Sequence, residues 1–149
     1  MSEKVKVKIL NHAAKLPIRG SNESAGYDLY ACINEDFISV NSGTSEKIGT
    51  GIAMAIPDGY FGAIFARSGL ATKEGLRPAN CVGVIDQDYR GEIIVPIHND
   101  HNTTRFVTNG ERIAQIVFLP YQEIDEFEVV DNLPTTSRGV GGFGSTGKK

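Results

Sequence analysis

The chain has no tryptophan, and only two of its 149 residues are cysteine. Cys32 and Cys81 stand far apart with no Cys-x-x-Cys pair, which argues against a disulfide framework or a zinc knuckle and leaves both to be read as reduced core thiols. The three histidines, His12, His98 and His101, have no metal-ligand spacing with one another or with the cysteines, so they read as structural or exposed. No uncharged apolar stretch reaches the roughly 18 residues of a membrane span, and residues 1–4 lack the apolar run of a signal peptide. The expectation is a soluble, cytoplasmic protein with no membrane partner. A basic excess is missing too. With 15 basic against 18 acidic residues, a net charge of −3 and a pI of 5.6, a broad basic face for a nucleic-acid backbone is not expected. A small phosphate ligand gripped by a few arginines remains compatible with that balance.

A long helical period is also absent. Apolar residues alternate instead, as Val5, Val7 and Ile9 do between Lys4, Lys6 and Lys8, which is the pattern of a half-buried strand. Similar runs occupy 27–31, 37–40, 47–56, 60–66, 79–85, 92–99, 105–107, 112–119 and 127–130. Turn residues separate almost all of them, among them Asn41-Ser42-Gly43, Pro57-Asp58-Gly59 and Asn109-Gly110. Many short strands, with one short helix over 68–73 and no internal repeat, predict a single all-β unit: a sandwich, jelly roll or barrel. A chain of this length buries on the order of two thirds of its unfolded surface.

Two stretches carry more chemistry than strands and turns require. Residues 83–93 place Asp86, Asp88, Tyr89 and Arg90 between β-branched flanks, so 86–91 reads as the bend of a hairpin. A carboxylate held there by backbone hydrogen bonds can orient a water and take its proton. After Pro134 the composition changes: five glycines lie in 134–149, with only Val140 and Phe143 as sizeable apolar groups. Such a tail should be mobile unless a ligand or partner orders it, which divides the chain into a β-rich domain over 1–133 and an arm over 134–149. Arg138, Phe143, Ser145 and Thr146, set among glycines whose N–H groups can approach an anion, are the parts of a phosphate-wrapping lid.

Five segments in order resemble the homotrimeric dUTPases: Ala25-Gly26-Tyr27-Asp28-Leu29-Tyr30-Ala31, Ala66-Arg67-Ser68-Gly69-Leu70-Ala71, the run from Gly83 to Ile93, Gly110-Glu111-Arg112-Ile113-Ala114-Gln115, and the run from Arg138 to Gly147. Any one of them is weak evidence, but five in sequence over nearly the whole chain are specific. The resemblance implies a distorted jelly roll of the β-clip type, with a flexible C-terminal arm, assembled as a homotrimer. It implies hydrolysis of dUTP to dUMP and pyrophosphate, which limits uracil in DNA and supplies dUMP for dTMP synthesis. Water attacks the α-phosphorus, Mg2+ sits on the triphosphate, and Asp86 activates the water. A triphosphate repels a nucleophile until arginines and a metal neutralise it, and positioning then does most of the work.

The same resemblance assigns the other residues. Arg67, Ser68 and the Gly69 backbone face the phosphates, with Gln115 reaching them from the fourth segment, and the planar fork of arginine suits phosphate oxygens. Arg112 is taken as structural or intersubunit. Asn80, Gly83, Val84 and Ile85 belong to a β-hairpin whose backbone mimics a pairing partner for uracil, and Tyr89 packs on the deoxyribose. Phe143 stacks on the base, Arg138 meets the terminal phosphates, Ser145 and Thr146 donate to them, and Gly144 is a substrate-binding residue beside them. Asp28 is placed near the water shell of the metal. Ala66 departs from the proline or glycine frequent at its position. Ser68 has no His and acid partners for a nucleophile's role.

Two rivals are weighed against this reading. dCTP deaminases share the fold and the trimer but use a glutamate on the strand after the corresponding turn, where this chain has Pro96. A non-catalytic β-rich regulatory trimer could keep the fold without the chemistry, yet Asp86, Tyr89, Gln115 and the terminal segment are all intact.

Overall fold

Alternation along the chain becomes eleven short strands among residues 4–143, the part of the chain that this computed structural model describes. β1 (Lys6–Ile9), β5 (Ser45–Ala55), β9 (Glu92–Asn99) and β7 (Leu76–Pro78) form one sheet in the order β1-β5-β9-β7. β2 (Ile18–Arg19), β3 (Tyr27–Tyr30), β11 (Arg112–Pro120), β6 (Tyr60–Phe65) and β8 (Gly83–Ile85) form a second, in the order β2-β3-β11-β6-β8. β4 (Phe37–Val40) pairs with β10 (Arg105–Thr108) as a separate ribbon. The result is all-β and jelly-roll-like, as the strand pattern predicts.

The period of two decides which face is buried. On β9, Ile93, Val95 and Ile97 are buried while Ile94 between them is exposed. They meet Ile48, Ile52 and Met54 of β5, Leu29, Ile64 and Ile116 from the second sheet, and Val40 and Val107 from the ribbon, in one core. Each such side chain gains about 1.5–3 kcal/mol on burial, which is what holds the two sheets face to face. The single fully buried side-chain amide among the described residues, Asn99, ties ribbon to sheet. Its Nδ2 donates to Val40 O and Thr103 O, both at 2.9 Å, and its Oδ1 accepts from His101 N at 2.8 Å. Losing that amide would orphan these groups at about 1–3 kcal/mol each. At the same end Arg77 grips Asp100 through Nε and Nη2 and holds its carboxyl below the usual carboxylate range, chiefly by hydrogen bonding. That contribution is present at neutral pH and is lost as pH falls through the depressed value.

Several expectations are corrected here. No strand forms over 127–130: Phe127 and Val129 are 92% and 97% exposed, because no sheet edge in the same chain reaches them. The strand expected over 79–85 shrinks to β8, since residues 79–82 bend between the two sheets. The helix expected over 68–73 starts at Ser68 but widens into a π-type turn, Leu70–Glu74. Gly75 ends it at φ 68°, its N–H returning to Leu70 O. Residues 86–91 are not a hairpin bend. β8 pairs with β6, while β9 pairs with β5 and β7, so the turn carries the chain from one sheet to the other. Both thiols are free, but Cys81 is exposed and Cys32 only half-buried, so neither is a core thiol. β2 and β7 were not foreseen, being too short to show alternation.

Candidate active site

Strand register brings the first, second and fourth segments together. Asp28 on β3 lies opposite Gln115 on β11, and Gln115 lies opposite Phe65 at the end of β6, one step before the loop bearing Arg67, Ser68 and Gly69. Asp28 is only 9% exposed, and a carboxylate buried to that degree needs cationic partners. It has two: Arg67 Nε donates to Oδ1 at 2.9 Å, and Arg112 Nη1 lies 3.5 Å from Oδ2. One acid thus holds two guanidiniums and leaves a net positive charge. Gln115 Nε2 donates to Ala66 O at 2.9 Å and pins the loop to β11. Gly26 makes room for this, because a Cβ there would collide with Gln115 Oε1. Ser68 and Gly69 are exposed, and nothing lies within 4 Å of where a Gly69 Cβ would stand, so that backbone faces open space. Arg112 and Gly26 complete this cluster although neither was expected to act on ligand, and the signal for Gly26 lay in the first segment itself.

The third segment builds a different place. Asp86 is exposed on a cavity of 690 Å³ lined by Phe61, Val84, Gln87, Tyr121 and Glu123 among others. The turn is closed by Tyr89 N donating to Asp86 O at 3.1 Å and by Arg90 Nη1 donating to Gln87 O at 2.7 Å and Tyr89 O at 3.0 Å. Tyr89 lays its ring across Gly91, where a Cβ would collide with it, and its hydroxyl donates to Glu92 O at 3.0 Å. Asn80 folds its amide against Gly83, while Val84 is exposed and Ile85 half-buried. A second cavity, of 480 Å³ and lined by Val5, Leu16, Met54, Tyr60 and Phe118 among others, holds none of the candidate residues.

The two places do not converge within one chain. Ile85 pairs with Gly62, whereas Asp28 is level with Phe65 through Gln115, three strands away in the order β3-β11-β6-β8. At about 4.8 Å per strand and 3.3 Å per residue, Asp28 and Asp86 are roughly 20 Å apart. Among the described residues the arm joins neither place. Arg138 Nε donates to Gly141 O at 2.8 Å and the Phe143 ring is fully exposed, while Gly144, Ser145 and Thr146 lie outside the described residues. Among the described residues no group of three or more His, Cys, Asp or Glu could hold a metal, and both Asp28 oxygens are turned to guanidiniums. No helix among them is long and apolar enough to cross a membrane.

Fold and clusters define a jelly-roll-like β protein with an Asp28–Arg67–Arg112 cluster and a separate carboxylate turn. The chain belongs to the dUTPase family, whose profile matches residues 12–147. A deoxyuridine 5'-triphosphate nucleotidohydrolase of Desulfitobacterium hafniense is 49% identical over 96% of this chain and 97% of its own length. One from Anaplasma marginale is 43% identical over 96% of this chain and 99% of its own. Among solved structures, a mutant dUTPase of Staphylococcus bacteriophage 80alpha with dUpNHpp matches with a TM-score of 0.86 at 27% identity, over 98% of this chain and 99% of that one.

Proposed function

We propose that this chain hydrolyses dUTP to dUMP and pyrophosphate, as a homotrimer in which one copy's Asp86 turn serves another copy's arginine cluster. The observation that carries the reading is the Asp28–Arg67–Arg112 cluster beside the open Ser68-Gly69 loop, in a chain 49% identical to a named dUTP nucleotidohydrolase. The separation of Asp86 from that cluster supports the assembly, since a side chain roughly 20 Å away cannot reach a shared phosphate. Arg67 binds phosphate oxygens with the N–H groups that Asp28 leaves free, while Ser68, the Gly69 backbone and Gln115 complete the grip. Asp86 takes a proton from a water that attacks the α-phosphorus, and the α–β bond breaks with pyrophosphate leaving. Mg2+ is the counter-ion of the triphosphate, so the substrate is the Mg·dUTP complex. The residues do not fit a resident metal, because Asp28 is engaged by arginines and can face the ion only through water.

Asn80, Gly83, Val84 and Ile85 select uracil by offering backbone partners that cytosine would leave unpaired, and by excluding the 5-methyl of thymine. They do so from β8 and its preceding loop rather than from a β7–β8 hairpin, since those strands lie in different sheets. Arg138, Phe143, Gly144, Ser145 and Thr146 close over the nucleotide. The cellular consequences are less uracil available to DNA and a supply of dUMP for dTMP.

A panel of dUTP, dTTP, dCTP and UTP tests the reading, with Mg2+ present or chelated. The expected result is pyrophosphate from dUTP alone, strongly reduced by chelation. Ammonia from dCTP would instead establish a deaminase, and no product from any nucleotide a regulatory trimer. Tyr89→Ala should raise the kcat/KM ratio of UTP to dUTP on the order of tenfold, because the ring that packs on deoxyribose no longer bars the 2′-hydroxyl. An unchanged ratio in that variant would remove Tyr89 from sugar selection.

A further inference from the structure

We propose that Gln87 is a positioning residue whose side chain locks the turn carrying Asp86 onto the 57–59 turn and onto Tyr121, the first residue after β11. The inference rests on Asp86 acting as the base. Of residues 86–90, Gln87 alone is withdrawn from solvent; Asp86, Asp88, Tyr89 and Arg90 are all exposed. Its amide is saturated on the acceptor side. Oε1 accepts from Gly59 N at 3.2 Å and from Tyr121 Oη at 3.1 Å, while Nε2 donates to Asp58 Oδ1 at 2.8 Å. A flipped amide would aim N–H at the N–H of Gly59 and oxygen at the Asp58 carboxylate, so a single orientation satisfies all three partners. Tyr121 N also donates to Gly59 O at 3.1 Å, which closes a ring of three chain segments around the Gln87 amide.

The consequence for Asp86 follows from its place in the chain. On one side Ile85 is fixed by the ladder with Gly62; on the other, Gln87 is fixed by this ring. The remaining bonds of the turn, from Tyr89 N and from Arg90, are internal and hold its shape, and Tyr89 Oη ties only its far end to Glu92 O at the start of β9. Asp86 is therefore a carboxylate between two anchors, and removing the second leaves it on a hinge. A displacement of about 1 Å in a reacting group costs as much as 100-fold in rate. The Gln87 amide is engaged by Gly59, Asp58 and Tyr121 and takes no part in the proposed nucleotide contacts, so its loss should appear in kcat and not in KM.

The test uses the full-length protein, Mg·dUTP and steady-state pyrophosphate release, with thermal unfolding to confirm the fold of each variant. Gln87→Ala should lower kcat by about 10- to 100-fold with KM within about threefold. Gln87→Glu keeps the acceptor for Gly59 and Tyr121 but sets a carboxylate against Asp58, and should lower kcat at least about tenfold. Adding Asp58→Asn reverses the donor and acceptor of that contact, since the introduced amide donates to the introduced carboxylate. The double variant should return to within about threefold of the parent. Asp86→Asn runs alongside. If it is inactive while Gln87→Ala and Gln87→Glu turn over within twofold of the parent, or while Asp58→Asn fails to rescue Gln87→Glu, the positioning role is overturned and the base survives. If Asp86→Asn turns over at the parent rate, both fall. Should Gln87→Ala not fold, the Glu variant and its rescue decide.

Discussion

Asp86→Asn should bind dUTP as the parent does and turn it over about 1,000-fold more slowly, the middle of the range for loss of a general base. The substitution keeps the shape of the side chain on an exposed turn, so neither the ring around Gln87 nor the core is disturbed. What it removes is the only acceptor in the turn's first position for the proton of an attacking water. The groups assigned to the triphosphate, Arg67, Ser68, Gly69 and Gln115, lie more than about 10 Å away on the same chain and are untouched. Affinity for a non-hydrolysable imido analogue should therefore be unchanged, while pyrophosphate release collapses. A variant that keeps near-parent turnover would discard the role.

Truncation after Pro134 should leave a folded trimer whose turnover is at least about 100-fold lower, the scale on which single preorganised donors act. The core draws on β1 and on β3 to β11 and, among the described residues, includes none beyond Phe118, so the described part of the arm contributes nothing to it. Among the described arm residues Arg138 bonds only Gly141 and Phe143 stands in solvent, which leaves a cation and an aromatic face free to close on a nucleotide. Unfolding curves and sizing would report an intact assembly, and kinetics with dUTP the loss. A truncated chain as active as the whole one would refute the lid.

Local pattern carried the strand inventory well. β9 could be read because Ile93, Val95 and Ile97 alternate with outward residues, and such alternation depends only on neighbours in sequence. Pairing is a different matter. Strand signals on both sides of 86–91 fit a hairpin and a sheet-to-sheet crossing equally; only the distant choice of β6 by β8, and of β5 and β7 by β9, decides between them. Val129 and Phe127 have strand character that no edge in the same chain accepts, so propensity alone misled there. The five segments single out Arg67, Asp86 and Gln115 as candidates, and the register of β11 with β6 sets Gln115 beside the Arg67 loop. The Asp28–Arg112 contact needed a register between β3 and β11 that no local signal encodes. Gln87 was hidden for the same reason, since its partners at 58, 59 and 121 lie far off in sequence. Cys81 reads as an apolar core residue by composition and lies exposed in the loop before β8 because that loop crosses between sheets.

Hydrolysis in water enriched in oxygen-18 tests the central chemistry most directly. Mass spectrometry of the products of a single turnover should find one heavy oxygen in dUMP and none in pyrophosphate, as attack at the α-phosphorus requires. Label in the pyrophosphate instead would place the attack on the β-phosphorus and contradict the account.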